Sequence, residues 1–205
     1  GIPGYASNVQ YPIYRESPHK MYLPRYYGID VLGHCSKNTL SRGTQICVSF
    51  QGNLFEYQTN IVNKFVTHVS ESGGGLLDVE PGKGKTVMGL NIIAKLKTKT
   101  LVVVHKSFLL NQWKERISQF LPQARIGIIQ AQIMDVDHKD IVIGMLQTLS
   151  TKDIPYEIVK DFGLTIYDEC HHLSAEVFSN VMIRIHTNYV LGLSGTMTRK
   201  DGLSK

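Results

Sequence analysis

The chain has 205 residues, of which 42% are hydrophobic and 19% are charged, and its formal net charge is +5. This composition is typical of a globular protein and excludes wholesale disorder. No apolar run approaches the roughly 18 residues that span a bilayer, and the first residues lack the segments of a secretory signal, so we expect no membrane partner. The positive charge is compatible with a polyanionic partner but does not demonstrate one.

The three cysteines, Cys35, Cys47 and Cys170, form no Cys-x-x-Cys pair. This pattern is typical of a reducing compartment, so we expect an intracellular protein of the nucleus or cytoplasm. His171 and His172 follow Cys170 directly, and three adjacent side chains cannot all face one ion from the end of a strand. We therefore expect no zinc site at these residues.

The first 45 residues differ from the rest, because six of the ten tyrosines and four of the seven prolines lie within the first 27 positions. Proline at this density disfavours long helices, so residues 1–45 are predicted to form an extended N-terminal extension with one short hairpin. The tyrosines could stack on nucleic-acid bases beside Arg15, Lys20 and Arg25, or they could pack against the main domain. We favour the second alternative, because no spacing singles out a base-stacking surface.

From residue 46 onward, short apolar runs alternate with stretches of helical periodicity. This alternation predicts an α/β domain of residues 46–205, with a mostly parallel sheet covered by helices. Continuous β-branched runs are typical of strands that are buried on both faces. Helices are predicted over 86–97 and 107–120. Strands are predicted at 46–50, 75–79, 101–104, 126–129, 140–143, 164–167 and 189–193.

A glycine-rich turn connects the predicted strand at 75–79 to the predicted helix at 86–97. Glycines let backbone N–H groups surround an anion, and the helix offers its positive N-terminus to phosphate. Lys85 is expected to reach the β- and γ-phosphates of ATP, and the Thr86 hydroxyl to ligate Mg²⁺. The strict Walker pattern fails, because Val79 stands where that pattern requires glycine. The predicted phosphate loop consists of Pro81, Gly82, Lys83, Gly84, Lys85 and Thr86.

Two adjacent carboxylates, Asp168 and Glu169, follow the predicted strand at 164–167. Open α/β sheets bind ligands at the carboxyl ends of their strands, so this pair is expected to complete the ATP site. Asp168 would hold Mg²⁺, and Glu169 would orient and deprotonate the attacking water. A solvated turn is the alternative, and the preceding apolar strand and the phosphate loop argue against it.

Several motifs in order resemble those of superfamily 2 helicases. Asp-Glu-Cys-His at 168–171 resembles the Asp-Glu-x-His box of that family, and Gly-Lys-Gly-Lys-Thr at 82–86 resembles the short form of its phosphate loop. The segment 104–113 resembles motif Ia, and the segment 141–150 resembles the strand and loop that follow motif Ia. The segment 191–196 resembles motif III. Arg-Lys-Asp-Gly at 199–202 resembles the sequence that follows motif III in the XPB-like branch and in helicases of large DNA viruses.

This resemblance implies an N-terminal RecA-like domain that hydrolyses ATP with Mg²⁺ and acts on nucleic acid, DNA more than RNA. It adds His171 to the catalytic residues and implies that Gln58 reads the adenine edge, although Phe55 stands where arginine is common in the family. Ser194 and Thr196 of motif III are implied to couple the two activities. The implied nucleic-acid contacts are His105, Lys106, Gln147 and Thr148.

The resemblance also implies a second RecA-like domain, which would donate arginine fingers and which the 205 residues do not contain. Two other functions stay open from the sequence. The chain could be another P-loop NTPase, such as a ring-forming AAA-type subunit, although no arginine finger or helical lid is visible. It could also bind nucleotide or nucleic acid without turnover.

Overall fold

The computed structural model describes residues 14–23, 25–169 and 175–195. The chain divides into two compact units between Thr39 and Leu40. In the first unit, the strands β1 (Arg15–Ser17) and β2 (Lys20–Tyr22) pair as an antiparallel hairpin. The predicted hairpin is therefore present. It is followed by the helix α1 (Arg25–Leu32), which the sequence reasoning missed although those eight residues contain no proline.

A seven-stranded sheet organises the second unit, with the strands in the order β3-β9-β8-β4-β7-β5-β6. Neighbouring strands are parallel except for β6, which pairs with β5 in the antiparallel sense. The strands are β3 (Gly74–Asp78), β4 (Thr100–Val104), β5 (Ile126–Gln130), β6 (Ile133–Asp135), β7 (Ile141–Met145), β8 (Leu164–Asp168) and β9 (Tyr189–Ser194). The predicted mostly parallel α/β fold is confirmed.

Six further helices lie among the described residues of this unit. The predictions at 86–97 and 107–120 are confirmed as α3 and α4. None of the described helices is long and apolar enough to cross a membrane. The six are α2 (Glu56–Ser72), α3 (Lys85–Leu96), α4 (Ser107–Phe120), α5 (Leu146–Thr151), α6 (Tyr156–Val159) and α7 (Ala175–Arg184).

The core has two parts, one on each face of the sheet. Alternate residues of β4 point to opposite faces, so Val102 and Val104 join one cluster while Leu101 and Val103 join the other. The first cluster contains the apolar stripes of α2, α3 and α4, and the second contains those of α5, α6 and α7. Every residue of β4, β7 and β8 is buried, which explains why these strands have continuous apolar sequences.

The strand predicted at 46–50 is wrong. The described structure has only an isolated bridge between Gln45 and Thr98 near this segment, and Ile46 donates its N–H to the Lys97 carbonyl. Ile46 and Val48 are nevertheless buried in the first core cluster. The alternating apolar pattern therefore predicted correctly that these side chains are buried. The backbone of Ile46, however, hydrogen-bonds to Lys97, which belongs to no strand. The short strand β6 was not predicted.

Backbone segments approach one another closely at the amino end of β8. Thr98 donates its hydroxyl to the Arg42 carbonyl at 2.9 Å, and Gly163 donates its N–H to the Lys99 carbonyl. A Cβ atom on Gly163 would overlap both the Thr98 hydroxyl and the Arg42 carbonyl, and one on Gly43 would overlap the Gly163 backbone. The contact therefore excludes any side chain at these two glycines. It also ties residues before the predicted boundary at 45 to the second unit, and that boundary stays a prediction.

Candidate active site

The predicted site residues that the structure describes lie along one edge of the sheet. Carboxyl ends of parallel strands meet at the same edge, and β3, β9, β8, β4 and β7 are consecutive in the sheet. Asp168 and Ser194 end β8 and β9, and Lys85 begins the helix after β3. Lys106 and Gln147 each lie two residues beyond the paired residues Val104 and Met145. The sheet therefore brings the two halves of the predicted ATP site together.

The phosphate loop has the backbone that an anion site requires. Gly82 and Gly84 have φ values of 82° and 84°, in the left-handed region that side chains disfavour. Gly84 is also the N-cap of α3, and a Cβ atom there would overlap the Gln58 side-chain nitrogen. Lys83 donates its N–H to the Glu80 carbonyl at 3.2 Å and closes the turn. The first N–H groups of α3 are thus presented beside the loop, where they can bind phosphate.

Gln58 holds this loop through hydrogen bonds of its side chain. Its side chain is 5% exposed, its Nε2 donates to the Lys83 carbonyl at 2.9 Å, and its Oε1 accepts the Phe55 N–H at 3.0 Å. Tyr57 donates its hydroxyl to the same Lys83 carbonyl at 3.0 Å. Gln58 therefore holds the loop in place in this structure. Its implied contact with adenine stays a prediction.

Two exposed aromatic residues, Phe55 and Tyr57, lie just before Gln58 in the sequence and form a pair. Phe55 and Tyr57 stack with ring centroids 6.0 Å apart and planes 7° from parallel, and Phe55 is 70% exposed. Tyr57 also lines an open cleft of about 280 Å³, together with Ile61, Val79 and Lys83. Apolar ring surface next to a phosphate loop can accommodate a nucleotide base. The sequence reasoning did not assign Tyr57, although it follows Phe55 by two positions.

Lys85 and Glu169 form an ion pair, with 2.9 Å between Nζ and Oε1. Their side chains are 11% and 25% exposed, so the pair is shielded from most solvent. Glu169 has a φ of 51°, which is unusual for a residue with a side chain and costs about 1–2 kcal/mol. Such strain is typical of functional positions. A Cβ atom on Gly195 would lie 2.5 Å from the Lys85 ammonium, so glycine at 195 leaves room for this arrangement.

Asp168 is buried and receives a hydrogen bond that the sequence reasoning missed. Trp113 on α4 donates its indole N–H to Asp168 Oδ2 at 2.8 Å. Burial raises the pKa of Asp168 and the neighbouring charge of Glu169 adds to the increase, while the Trp113 hydrogen bond and the Lys85 charge oppose it. A buried carboxylate that is short of positive charge favours a bound cation. The apolar spacing on α4 predicted that Trp113 is buried but contained no signal for its N–H partner.

The predicted nucleic-acid residues differ in exposure. Lys106 and Gln147 are exposed, and the Lys106 ammonium lies 5.9 Å from the ring centroid of Phe108, which is itself 62% exposed. His105 is partly buried. Thr148 is buried, and its hydroxyl accepts the Ala131 N–H at 3.0 Å. Contacts from these residues to nucleic acid stay predictions, and the structure gives Thr148 a role in holding the turn between β5 and β6.

The remaining predicted residues are only partly described. Thr86 is partly buried in the first turn of α3, as a ligand of a phosphate-bound cation would be. Ser194 is buried, and its carbonyl accepts the Val79 N–H at 3.1 Å, which joins motif III to the start of the phosphate loop. His171 and Thr196 lie outside the described residues.

A comparison with protein families agrees with this geometry. The family described as "Type III restriction enzyme, res subunit" matches residues 51–199, which include both the phosphate loop and the acidic pair. The chain belongs to this family. It is a RecA-like ATP-binding domain of the superfamily 2 helicase type, and the function predicted from the sequence is confirmed at that level.

Curated relatives of the family occur in large DNA viruses. A protein of Acanthamoeba polyphaga mimivirus, named as an ATP-dependent RNA helicase, is 37% identical over 99% of this chain and 39% of its own length. An African swine fever virus protein with the same description is 31% identical over 78% of this chain and 32% of its own length. The chain therefore spans about a third to two fifths of these relatives.

Solved structures share the fold at low identity. The SWI2/SNF2 ATPase core of Sulfolobus solfataricus in complex with dsDNA has a TM-score of 0.64 at 20% identity, covering 82% of this chain and 36% of that one. The UvsW helicase from bacteriophage T4 has a TM-score of 0.63 at 18% identity, covering 91% of this chain and 75% of that one. These likenesses concern the fold alone.

Proposed function

We propose that this domain is the ATP-binding half of a motor that couples hydrolysis of Mg-ATP to movement on nucleic acid. One observation carries the proposal: Lys85, Asp168 and Glu169 meet at the carboxyl edge of a parallel sheet, beside the open N-terminus of α3. A phosphate loop, a lysine ammonium and two carboxylates in this arrangement are typical of nucleotide sites.

The residues present fit Mg²⁺. Thr86 and Asp168 supply oxygen ligands, which this cation prefers, and Mg²⁺ keeps several of its waters when only one or two protein groups bind it. The raised pKa of Asp168, caused first by burial, indicates a carboxylate that a cation would stabilise. Thr86 and Asp168 would hold Mg²⁺, which when bound would neutralise negative charge on the phosphate.

The protein groups then have separate tasks. Lys85 would leave Glu169 and bind the β- and γ-phosphates together with the N–H groups of the loop. Glu169, released from the ion pair, would orient a water and accept its proton. The stacked rings of Phe55 and Tyr57 would contact the base, and Gln58 would keep the loop in register.

Nucleic acid would bind farther along the same edge, where exposed Lys106, Phe108 and Gln147 lie after β4 and β7. We favour DNA over RNA because of the similarity to the XPB-like branch, although viral relatives are named as RNA helicases. The longer relatives leave room for a second RecA-like domain, which would close over ATP and supply arginine fingers. The proposed place of action is intracellular, in the nucleus or cytoplasm, with a viral factory or a virion as the alternatives.

Two substitutions test the ATP site. Lys85→Ala should weaken Mg-ATP binding by tenfold or more, because it removes charge-assisted hydrogen bonds to phosphate. Glu169→Gln should keep ATP binding but lower hydrolysis by about 10²- to 10⁴-fold in the longer protein, because an amide cannot accept the proton. Calorimetry and phosphate release measure the two effects.

Lys95→Ala serves as the control, since Lys95 is an exposed lysine in the last turn of the same helix. Its affinity for Mg-ATP should equal that of the unsubstituted chain. An unchanged affinity in Lys85→Ala would refute the phosphate-loop assignment. Equal loss of binding and turnover in Glu169→Gln would refute the role of Glu169 as the base.

A further inference from the structure

Trp113 connects α4 to the acidic half of the site. Its side chain is fully buried, Asp168 is 5% exposed, and the indole N–H donates to Asp168 Oδ2 at 2.8 Å. Trp113 and Asp168 are 55 residues apart in sequence, so this contact depends on the packing of α4 against the sheet. The hydrogen bond is formed between two groups that solvent hardly reaches, where such a bond is strong and its loss is costly.

The chemistry of the indole suits a positioning role. An indole N–H only donates and carries no charge, so it fixes a carboxylate oxygen without competing as a cation. Trp113 holds Oδ2, and the Glu169 backbone also donates a hydrogen bond to the carboxylate, which keeps further lone pairs for a metal or its bound water. The Lys85 ammonium is paired with Glu169 instead. Trp113 is thus the side chain that holds Oδ2 and so contributes to the direction of the Asp168 carboxylate.

We infer that Trp113 is a positioning residue for the Mg²⁺ site, which it serves by orienting the Asp168 carboxylate; this rests on the proposed binding of Mg-ATP. Groups that hydrogen-bond a ligating side chain fix its orientation and commonly contribute tenfold or more to metal affinity. α4 begins directly after Lys106, two helical turns before Trp113. The helix that starts at a predicted nucleic-acid contact thus also holds the metal-binding carboxylate.

The test measures how nucleotide binding by the 205-residue chain depends on Mg²⁺. A fluorescent ATP analogue is titrated at increasing Mg²⁺ concentrations and, separately, in EDTA. Trp113→Phe keeps an aromatic side chain but removes the five-membered ring with its N–H, so it should raise the Mg²⁺ concentration for half-maximal binding by about tenfold or more. Binding in EDTA should not change, because the phosphate loop is intact.

Ile117→Ala is the matched control, since Ile117 is fully buried in α4 and belongs to the same core cluster. It should lower thermal stability and leave the Mg²⁺ midpoint unchanged. An unchanged midpoint in Trp113→Phe, or an equal shift in both variants, would overturn the inference. If the unsubstituted chain bound the analogue without any Mg²⁺ dependence, the proposed Mg-ATP site itself would fail.

A second measurement does not depend on the folding of Trp113→Phe. Trp113 is the single tryptophan of the chain, so the intrinsic tryptophan emission arises from this residue. Saturation with Mg²⁺ and ATP should change that emission, whereas Asp168→Asn, which removes the charge, should abolish the Mg²⁺-dependent part of the change. Constant emission in the unsubstituted chain during saturation would contradict the inference.

Discussion

Lys85 and Glu169 are paired with each other in this structure, and in the proposed function both change partners when ATP binds. The pair therefore competes with nucleotide. Gly195 influences this competition, because it leaves the space in which the Lys85 ammonium rests.

Gly195→Ala should strengthen Mg-ATP binding by about two- to fivefold. The added Cβ would displace the end of a flexible lysine side chain, weaken its pair with Glu169 and reduce the energy needed to transfer Lys85 to phosphate. Calorimetry on the variant provides the measurement. The same substitution in Glu169→Gln should add nothing, because the ion pair is already lost.

Gly28→Ala is a suitable control for this experiment, since a Cβ there would make only an ordinary contact with the Leu23 side chain. Its Mg-ATP affinity should not differ from that of the unsubstituted chain. An affinity in Gly195→Ala equal to that of the control would mean that the resting pair does not compete with nucleotide.

At the scale of elements, one residue pair fixes the relative position of β5 and β7. Asp140, just before β7, accepts hydrogen bonds from the Arg125 backbone N–H, Nε and a terminal nitrogen at 2.8–3.0 Å. Burial alone would raise the pKa of Asp140, but the hydrogen bonds and charge of Arg125, together with the Lys99 charge, lower it overall. The carboxylate form therefore contributes to stability.

Asp140→Asn should lower the free energy of unfolding by about 1–2 kcal/mol at neutral pH, since an amide offers one acceptor to three donors. The folded-state pKa of Asp140 is lowered, so its contribution is fully present above the unfolded-state pKa and is lost as pH falls through the folded-state value. The difference between variant and unsubstituted chain should thus be constant near neutrality and shrink below about pH 4. Urea unfolding at several pH values measures it.

Asp135→Asn is the control for this prediction. Asp135 pairs with Lys139 across four residues at the surface, where solvent screens the pair, so its loss should cost less than about 0.5 kcal/mol. A pH-independent difference for Asp140→Asn would show that packing, and not the carboxylate charge, stabilises this junction.

Element by element, the sequence predicted what local patterns encode. The buried strands β4, β7 and β8 and the helix α4 follow from apolar periodicity, and the phosphate loop follows from glycine spacing. The segment 46–50 failed because burial and strand pairing give the same alternating pattern. β6 was missed because its three residues, two of them exposed, contain too little periodicity.

The candidate site shows the same division. That Lys85, Asp168 and Glu169 lie together was predictable, because each belongs to a motif that follows an apolar strand; their roles stay predictions. The hydrogen bond from Trp113 to Asp168 and the contact between Gly195 and Lys85 were not, because each joins elements that meet only after the sheet has formed. No local pattern records a partner that lies 55 residues away.

At the scale of the whole molecule, the chain spans 39% and 32% of two viral relatives and carries half of the proposed catalytic machinery. An arginine finger contributes about 10³- to 10⁵-fold in rate to enzymes that use one. We therefore expect this chain alone to bind Mg-ATP weakly and to hydrolyse it at least about 10³-fold more slowly than the longer protein.

Steady-state phosphate release measures both rates, with duplex DNA, single-stranded DNA, RNA or no nucleic acid present. DNA should stimulate the longer protein more than RNA does, and stimulation should fall steeply with salt because phosphate contacts dominate. A chain that matched the rate of the longer protein would show that its catalytic site is complete. Stronger stimulation by RNA would reverse the proposed preference for DNA.

The contact of Gly163 with Thr98 and Arg42 has a genetic consequence. It lies at the amino end of the sheet, opposite the catalytic edge, and Gly163 directly precedes β8, whose last residue is Asp168. Gly163→Ala would force backbone apart there while leaving every chemical group of the ATP site unchanged. Because the overlap involves a carbonyl of the main chain, side-chain rotation cannot relieve it, and the variant should fold at low temperature and unfold at a moderately higher one. Such a substitution would act as a temperature-sensitive allele, with which the protein could be withdrawn from a living system by warming it.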